Sequence, residues 1–248
     1  MAKVIFDVLG KEDCQNTLTW LLSGTSGRVK NSICRDFNIP YEEADKMSNN
    51  EIHKIASLKF DEVIQQETKF AIEYQKEWNK IEKDVFNIFT QIFDEELKET
   101  TLTAKLWPCY CCPYNKNGFW VQGVSYDWEK VKKTAIHEIT HLYWWQKWNK
   151  AFANNPKMLE RTYGSAIWYL SEIAVHTIAN NSGLKDFLTN PNIANSGFYN
   201  VKIDNQDLFS KMDKLYKSCN SLEDFMAVGL EFVENNLMDI KTANNIVK

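Results

Sequence analysis

The sequence predicts an α+β chain that is mainly helical, with one small twisted sheet. Three observations carry this expectation. From Ser48 to Leu97 apolar residues recur at helical spacing. From Thr101 to Trp107 the apolar period drops to two, the signature of a half-buried strand. From Asp127 to Lys150 there is again a helical pattern, with no Gly or Pro inside it. At 248 residues the chain can form one large domain or two packed subdomains, and a hydrophobic content of 44% is enough for a real core. The patterns divide it into a helical N-terminal region, 1–99, a central region, 100–180, and a helical C-terminal region, 181–248, expected to pack as one unit.

Composition removes several function classes. A net charge of -4 and a pI near 5.7 provide no attraction for nucleic acid or an anionic membrane. No stretch approaches the roughly 18 apolar residues of a membrane span. The first ten residues, MAKVIFDVLG, lack the long apolar run of a signal peptide, which points to the cytoplasm.

In chain order, the first 47 residues read as short elements. Leu18-Thr19-Trp20-Leu21-Leu22 suggests a helix over 16–23 ended by Gly24, with Gly27 and Pro40 punctuating the rest. Nothing here resembles a phosphate loop. The helical stretch that follows has Asn49 or Asn50 as a possible cap. Tyr74, Trp78, Ile81, Val85, Ile88 and Ile92 form a heptad seam, which fits a long helix or broken pair packed within the chain, or a coiled-coil dimer. His53, near its start, reads as a surface residue.

The strand at 101–107 is followed by a turn at Tyr114-Asn115-Lys116-Asn117-Gly118 and a returning strand, Phe119-Trp120-Val121-Gln122. This returning strand is either part of an ordinary hairpin or an edge that pairs with an extended peptide. Cys109, Cys111 and Cys112 lie between the strands. Six cysteines in a chain of this length are no disulfide framework, and CxCC matches no common zinc spacing. The cluster reads as reduced thiols at a strand end, with a second metal or redox site as the sharper alternative. Downstream, Tyr143, Trp144, Trp145 and Trp148 form an aromatic cluster, and a second helix is expected from Pro156 to Asn180. Residues 181–204 read as Asn- and Gly-rich loops around a short helix at 185–188, and 206–236 as helical.

The chemistry concentrates at His137-Glu138-Ile139-Thr140-His141. Ser125 or Asp127 serves as N-cap of its helix, and Val131, Ala135, Ile139 and Leu142 mark the apolar stripe. Histidines four apart on a helix stand about 40° apart in rotation and about 6 Å in rise, so their rings can converge on one ion. Imidazole nitrogen suits zinc, which takes three protein ligands and a water at a catalytic site. Glu138 can then reach that water as a base. With only four histidines in the chain, composition predicts roughly 0.005 chance matches to this pattern. The bland alternative is a core helix whose histidines are satisfied by hydrogen bonds.

A third ligand is needed. Between His141 and residue 200 the acidic or imidazole side chains are Glu160, Glu172, His176 and Asp186. The longer pattern of the metzincins fails, since Trp144 and Lys147 stand where it needs glycine and histidine. HEITH followed by Leu170-Ser171-Glu172-Ile173-Ala174 instead resembles the gluzincins, the thermolysin-like zinc peptidases, over about residues 100–180. That resemblance implies a zincin-like core with the small sheet beside the motif helix, one zinc ion, a peptide or protein substrate, and Glu172 as third ligand on a second helix. Glu160 competes, because it falls at a spacing that many aminopeptidase-type gluzincins use, but it lacks the small-residue context. His176 stands where thermolysin-like enzymes carry an aspartate that orients a ligand histidine. It could accept a hydrogen bond from His137 or His141, or donate to an oxyanion, a role for which Tyr163 and Tyr169 also stand as candidates. The Gly-x-Met-x-Asn pattern of many aminopeptidases is missing at Asn117-Gly118-Phe119-Trp120-Val121, which tilts the expectation away from that subgroup. The rival functions are a non-peptidase zinc hydrolase and a helical interaction protein with a structural or absent metal.

Overall fold

A computed structural model describes residues 2–25 and 27–246. The chain is mainly helical with a small mixed sheet, as the periodicities predict. It divides into two compact units, each assembled from separate stretches: 2–83 with 99–135, and 84–98 with 136–248. Among the described residues no helix is long and apolar enough to cross a membrane.

The first unit holds the sheet. Its elements are β1 (Lys3–Val8), α1 (Lys11–Gly24), α2 (Gly27–Asp36), α3 (Asn49–Trp78), β2 (Thr101–Trp107), β3 (Tyr114–Asn115) and β4 (Gly118–Gln122). The strand order is β1-β2-β4-β3. β1 is a strand that the sequence reading passed over, because in KVIFDV the exposed positions include apolar Ile5 and the alternation of apolar and polar residues is blurred. β4 differs more: it runs parallel to β2, not back along it, and only β3 pairs with it antiparallel. It is therefore an inner strand, neither the returning arm of a hairpin with β2 nor an edge. Gly118 makes this possible, since a Cβ there would lie 2.1 Å from the Thr103 carbonyl oxygen of β2. The true edge at β1 is blunted by side chains. Glu82 accepts from the Val4 N–H at 2.7 Å and Gln75 from the Phe6 N–H at 2.9 Å.

The long helical pattern is a broken pair, α3 and α4 (Glu82–Phe93). Ser48, not Asn49 or Asn50, caps α3 through a reciprocal box with Glu51. Tyr74 and Trp78 are spent inside the same chain, each 6.1 Å from the Phe6 ring. The heptad seam does not survive the break at 79–81. In α4 the buried face is Val85, Phe86, Phe89 and Phe93, with Ile88 and Ile92 half-buried. His53 is half-buried on α3. Cys109 is buried just past β2, its thiol pKa pushed up by burial, while Cys111 and Cys112 are half-buried; the cysteines are unbridged. Among the described residues this cluster does not bring three metal donors together.

One buried acid in this unit carries a prediction. Glu67 on α3 is 1% exposed, packs on the backbone of Gly123, and leaves Oε1 without a hydrogen bond. Burial pushes its pKa from 4.5 up to about 7, against a small opposing pull from Lys59. A raised folded-state value means the native chain holds the proton more tightly than the unfolded chain. Stability is therefore full below about pH 4.5 and falls as pH rises through about 7, by on the order of 3 kcal/mol. Glu67→Gln is expected to melt higher than the parent at pH 8 and to match it near pH 4. Parallel melting curves at all pH values contradict this.

The second unit holds most of α4, the part of α5 (Trp128–Ala151) from residue 136 onward, α6 (Ala166–Asn180), a two-stranded ribbon of β5 (Lys202–Ile203) and β6 (Gln206–Asp207), α7 (Leu208–Ser218), α8 (Leu222–Asn235) and α9 (Leu237–Ile246). Aromatic rings lock α5 in place. Phe89 of α4 stacks on Tyr143 with centroids 5.0 Å apart, and Trp144 meets Phe225 of α8 edge-on. The cluster around Trp144 is core, as aromatic residues at helical spacing usually are. α8 approaches α6 closely at Gly229, where a Cβ would stand 3.0 Å from Leu170. Asn180 and Asn181 at the end of α6 both donate to Asp213 of α7.

Candidate metal centre

The centre is built on two helices of the second unit. α5 is capped by Asp127, whose Oδ1 accepts from the Lys130 N–H at 3.0 Å, and Val131, Ala135 and Ile139 are fully buried. That stripe fixes the rotation of the helix and sets His137 and His141 on one face. α6 begins at Ala166, ten residues later than the pattern suggests. A short 3-10 turn, Pro156–Leu159, and a loop precede it, and Ser165 caps it by accepting from the Trp168 N–H at 3.2 Å. The later start separates the two candidate carboxylates. Glu172 falls in the middle of α6 between buried neighbours, whereas Glu160 is exposed in the preceding loop.

Three side chains converge. His137 Nε2 and His141 Nε2 are 3.1 Å apart. Glu172 reaches both: Oε1 is 3.4 Å from His141 Nε2 and Oε2 is 3.7 Å from His137 Nε2. An ion with bonds of about 2.0–2.2 Å holds tetrahedral donors about 3.3–3.6 Å apart. The three edges scatter around that value, so the donor set fits a zinc-sized ion in kind and in spacing. His137, Glu138 and His141 also bring one donor each within 4.8 Å of one another. Glu138 is set apart from Glu172 by its position. It follows His137 directly and so points about 100° away around the helix, while Glu172 faces both rings from the opposite helix.

The electrostatics separate the two carboxylates further. Burial alone would raise Glu172, but the imidazoles of His141 and His137 outweigh it and hold its pKa below the usual range. Glu138 is pushed well above its usual value, by burial first and by the charge of Glu172 second. Its Oε2 is buried with no hydrogen-bond partner. One carboxylate is thus kept ionised between two imidazoles, and the other is a strong proton acceptor with an oxygen left unsatisfied. Neighbouring carboxylates held in such different environments are suited to different chemical tasks.

No protein-family model, curated protein or solved structure matches this chain.

The surroundings differ from expectation at residue 176. His137 Nδ1–H donates to the carbonyl oxygen of Ile193 at 3.0 Å, so a backbone group stands where the aspartate of the thermolysin-like pattern was to be replaced by His176. His176 is 6% exposed, and its Nδ1 lies 3.1 Å from the Pro191 carbonyl oxygen and 3.0 Å from the Tyr199 hydroxyl. Its ring packs on Phe209 at 4.1 Å. Tyr169 is buried one turn before Glu172, its ring edge-on to Phe198. Tyr163 is 75% exposed in the loop before α6. Asp186 lies in the short 3-10 helix Gly183–Phe187. Sequence reasoning missed Ile193 and Tyr199. A carbonyl partner leaves no mark in side-chain identity, and Tyr199 sits in a 3-10 turn, Ser196–Asn200, within a region read as loop.

Proposed function

We propose that the chain is a zinc-dependent metallopeptidase with a zincin-like core of gluzincin type, in which His137, His141 and Glu172 hold the ion and Glu138 is the general base. The observation that carries the reading is the convergence of two Nε2 atoms and one ionised carboxylate, with edges of 3.1, 3.4 and 3.7 Å. A divalent ion bound there supplies Lewis acidity to a substrate carbonyl and lowers the pKa of a water towards about 7.

The chain's own residues do the rest. With an ion bound, the buried Oε2 of Glu138 would be free to accept a hydrogen bond from a water there and to take its proton as the carbonyl is attacked. Burial favours the protonated acid, which can then pass the proton to the departing amine. Glu172, held ionised, would offset part of the cation's charge. The carbonyl of Ile193 keeps a hydrogen on Nδ1 of His137, which leaves the Nε2 lone pair available to hold an ion. Tyr169 and His176 lie about one turn before and after Glu172 on α6, both buried. A closed structural site would need a fourth protein ligand. Glu138 also lies within reach of the two histidines; its buried, unpartnered Oε2 supports reading this second carboxylate as a base rather than a fourth ligand.

Metal analysis of the purified chain, followed by cleavage of a peptide library with and without chelator, tests the reading. It predicts about one zinc per chain and cleavage that a chelator abolishes. Zinc-loaded chain that cleaves no peptide would leave a metal site without this activity.

A further inference from the structure

The segment 190–199 does more than pass the metal centre. Three of its backbone groups are engaged by named side chains. The Ile193 carbonyl oxygen accepts from His137 Nδ1 at 3.0 Å, the Pro191 carbonyl oxygen lies 3.1 Å from His176 Nδ1, and the Ala194 N–H donates to the Tyr199 hydroxyl at 3.0 Å. Tyr199 and His176 are themselves 3.0 Å apart. Since Pro191 can only accept, the His176 hydrogen sits on Nδ1, between the Pro191 and Tyr199 oxygens. The phenol oxygen in turn takes the Ala194 hydrogen. Burial raises the Tyr199 pKa, so the phenol stays neutral and the network keeps its hydrogens. Ile193 and Ala194 are 3% and 7% exposed, so these bonds are sheltered from competing water. Pro191 and an internal Ile193 N–H to Pro191 oxygen bond of 2.8 Å stiffen the turn between the anchors.

We propose that Tyr199 and His176 are positioning residues: they clasp the 191–194 turn so that its Ile193 carbonyl fixes His137 in the tautomer and orientation that a metal requires. The inference rests on the metal-site reading and adds a part that no motif contains. A zinc-binding histidine normally gives its second nitrogen to a carboxylate or carbonyl, and disturbing that partner weakens metal binding by about 10–100-fold. Here the partner is a backbone group that cannot be substituted, so its placement is delegated to two side chains from α6 and the following turn. The cluster of the His176, Tyr199 and Phe209 rings, tilted or edge-on with centroids 4.1–5.3 Å apart, holds the clasp against the start of α7.

The test has two readouts, neither of which is catalysis. In the metal-free parent chain, long-range proton–nitrogen spectra of the imidazoles report the His137 tautomer; the proposal requires the hydrogen on Nδ1, and a hydrogen on Nε2 overturns it without any variant. Zinc affinity, measured by competition with a chelating dye, is then compared among parent, Tyr199→Phe, His176→Ala and His176→Asn. The first two are expected to bind about 10–100-fold more weakly. His176→Asn, whose amide nitrogen can occupy the Nδ1 position, is expected to recover most of the loss. Parent-like affinity in both Tyr199→Phe and His176→Ala overturns the clasp while leaving the metal site standing. A parent chain that binds no zinc removes both.

Discussion

Glu138→Gln is expected to bind zinc as tightly as the parent and to cleave peptides about 10²–10⁴-fold more slowly. The variant keeps the shape of the side chain and removes only its ability to take a proton. Glu138 is buried, its pKa is raised by burial and by Glu172, and its Oε2 has no hydrogen-bond partner among the described residues. A group in that condition costs stability unless something uses it. Replacement by glutamine should therefore leave the melting temperature unchanged or raise it slightly, while activity collapses. This opposite movement of stability and rate separates a base from a packing residue. Parent-like turnover in the variant would remove Glu138 from the mechanism and shift the search to another acceptor.

The second large effect concerns the third ligand. Glu172→Ala is expected to weaken zinc binding by more than about 100-fold, beyond the loss from disturbing an outer partner of a ligand. Its carboxylate is the group that spans both imidazoles, and its pKa is held down by them in spite of burial. Two imidazoles alone leave the ion half-exposed to water and without a balancing negative charge. Glu160→Ala serves as the comparison. Glu160 lies exposed in the loop ahead of α6, so its loss is expected to change zinc affinity by less than about twofold. Stoichiometric zinc of parent affinity in Glu172→Ala, with loss in Glu160→Ala, would reverse the assignment.

How much of this was legible depends on the range of the signal. His137, Glu138 and His141 were readable because three residues within five, on one helix, define their own geometry. The choice between Glu172 and Glu160 was only half readable. It turns on where α6 starts, and Ser165 with Gly164, whose φ is +78°, sets that start. The sequence pattern placed the start at Pro156, because Leu159 and Tyr163 happen to continue the helical phase, yet in the structure they are 39% and 75% exposed. Strand β2 was clear from its alternation. The direction of β4 was not, since pairing sense depends on how the 108–113 connection turns, and periodicity carries no record of that. The face of α4 slipped for a similar reason: a heptad counted through the break at 79–81 loses its phase, and Phe86, Phe89 and Phe93 replace Ile88 and Ile92 as the buried row. The Ile193 carbonyl lay beyond sequence reading altogether.

Anomalous diffraction at the zinc edge, from crystals of the chain grown with one equivalent of zinc, tests the central claim most directly. The account predicts a single peak bonded to His137 Nε2, His141 Nε2 and a Glu172 oxygen at about 2.0–2.2 Å. A peak at the Cys109–Cys112 segment alone, or no peak between the two helices, would contradict it.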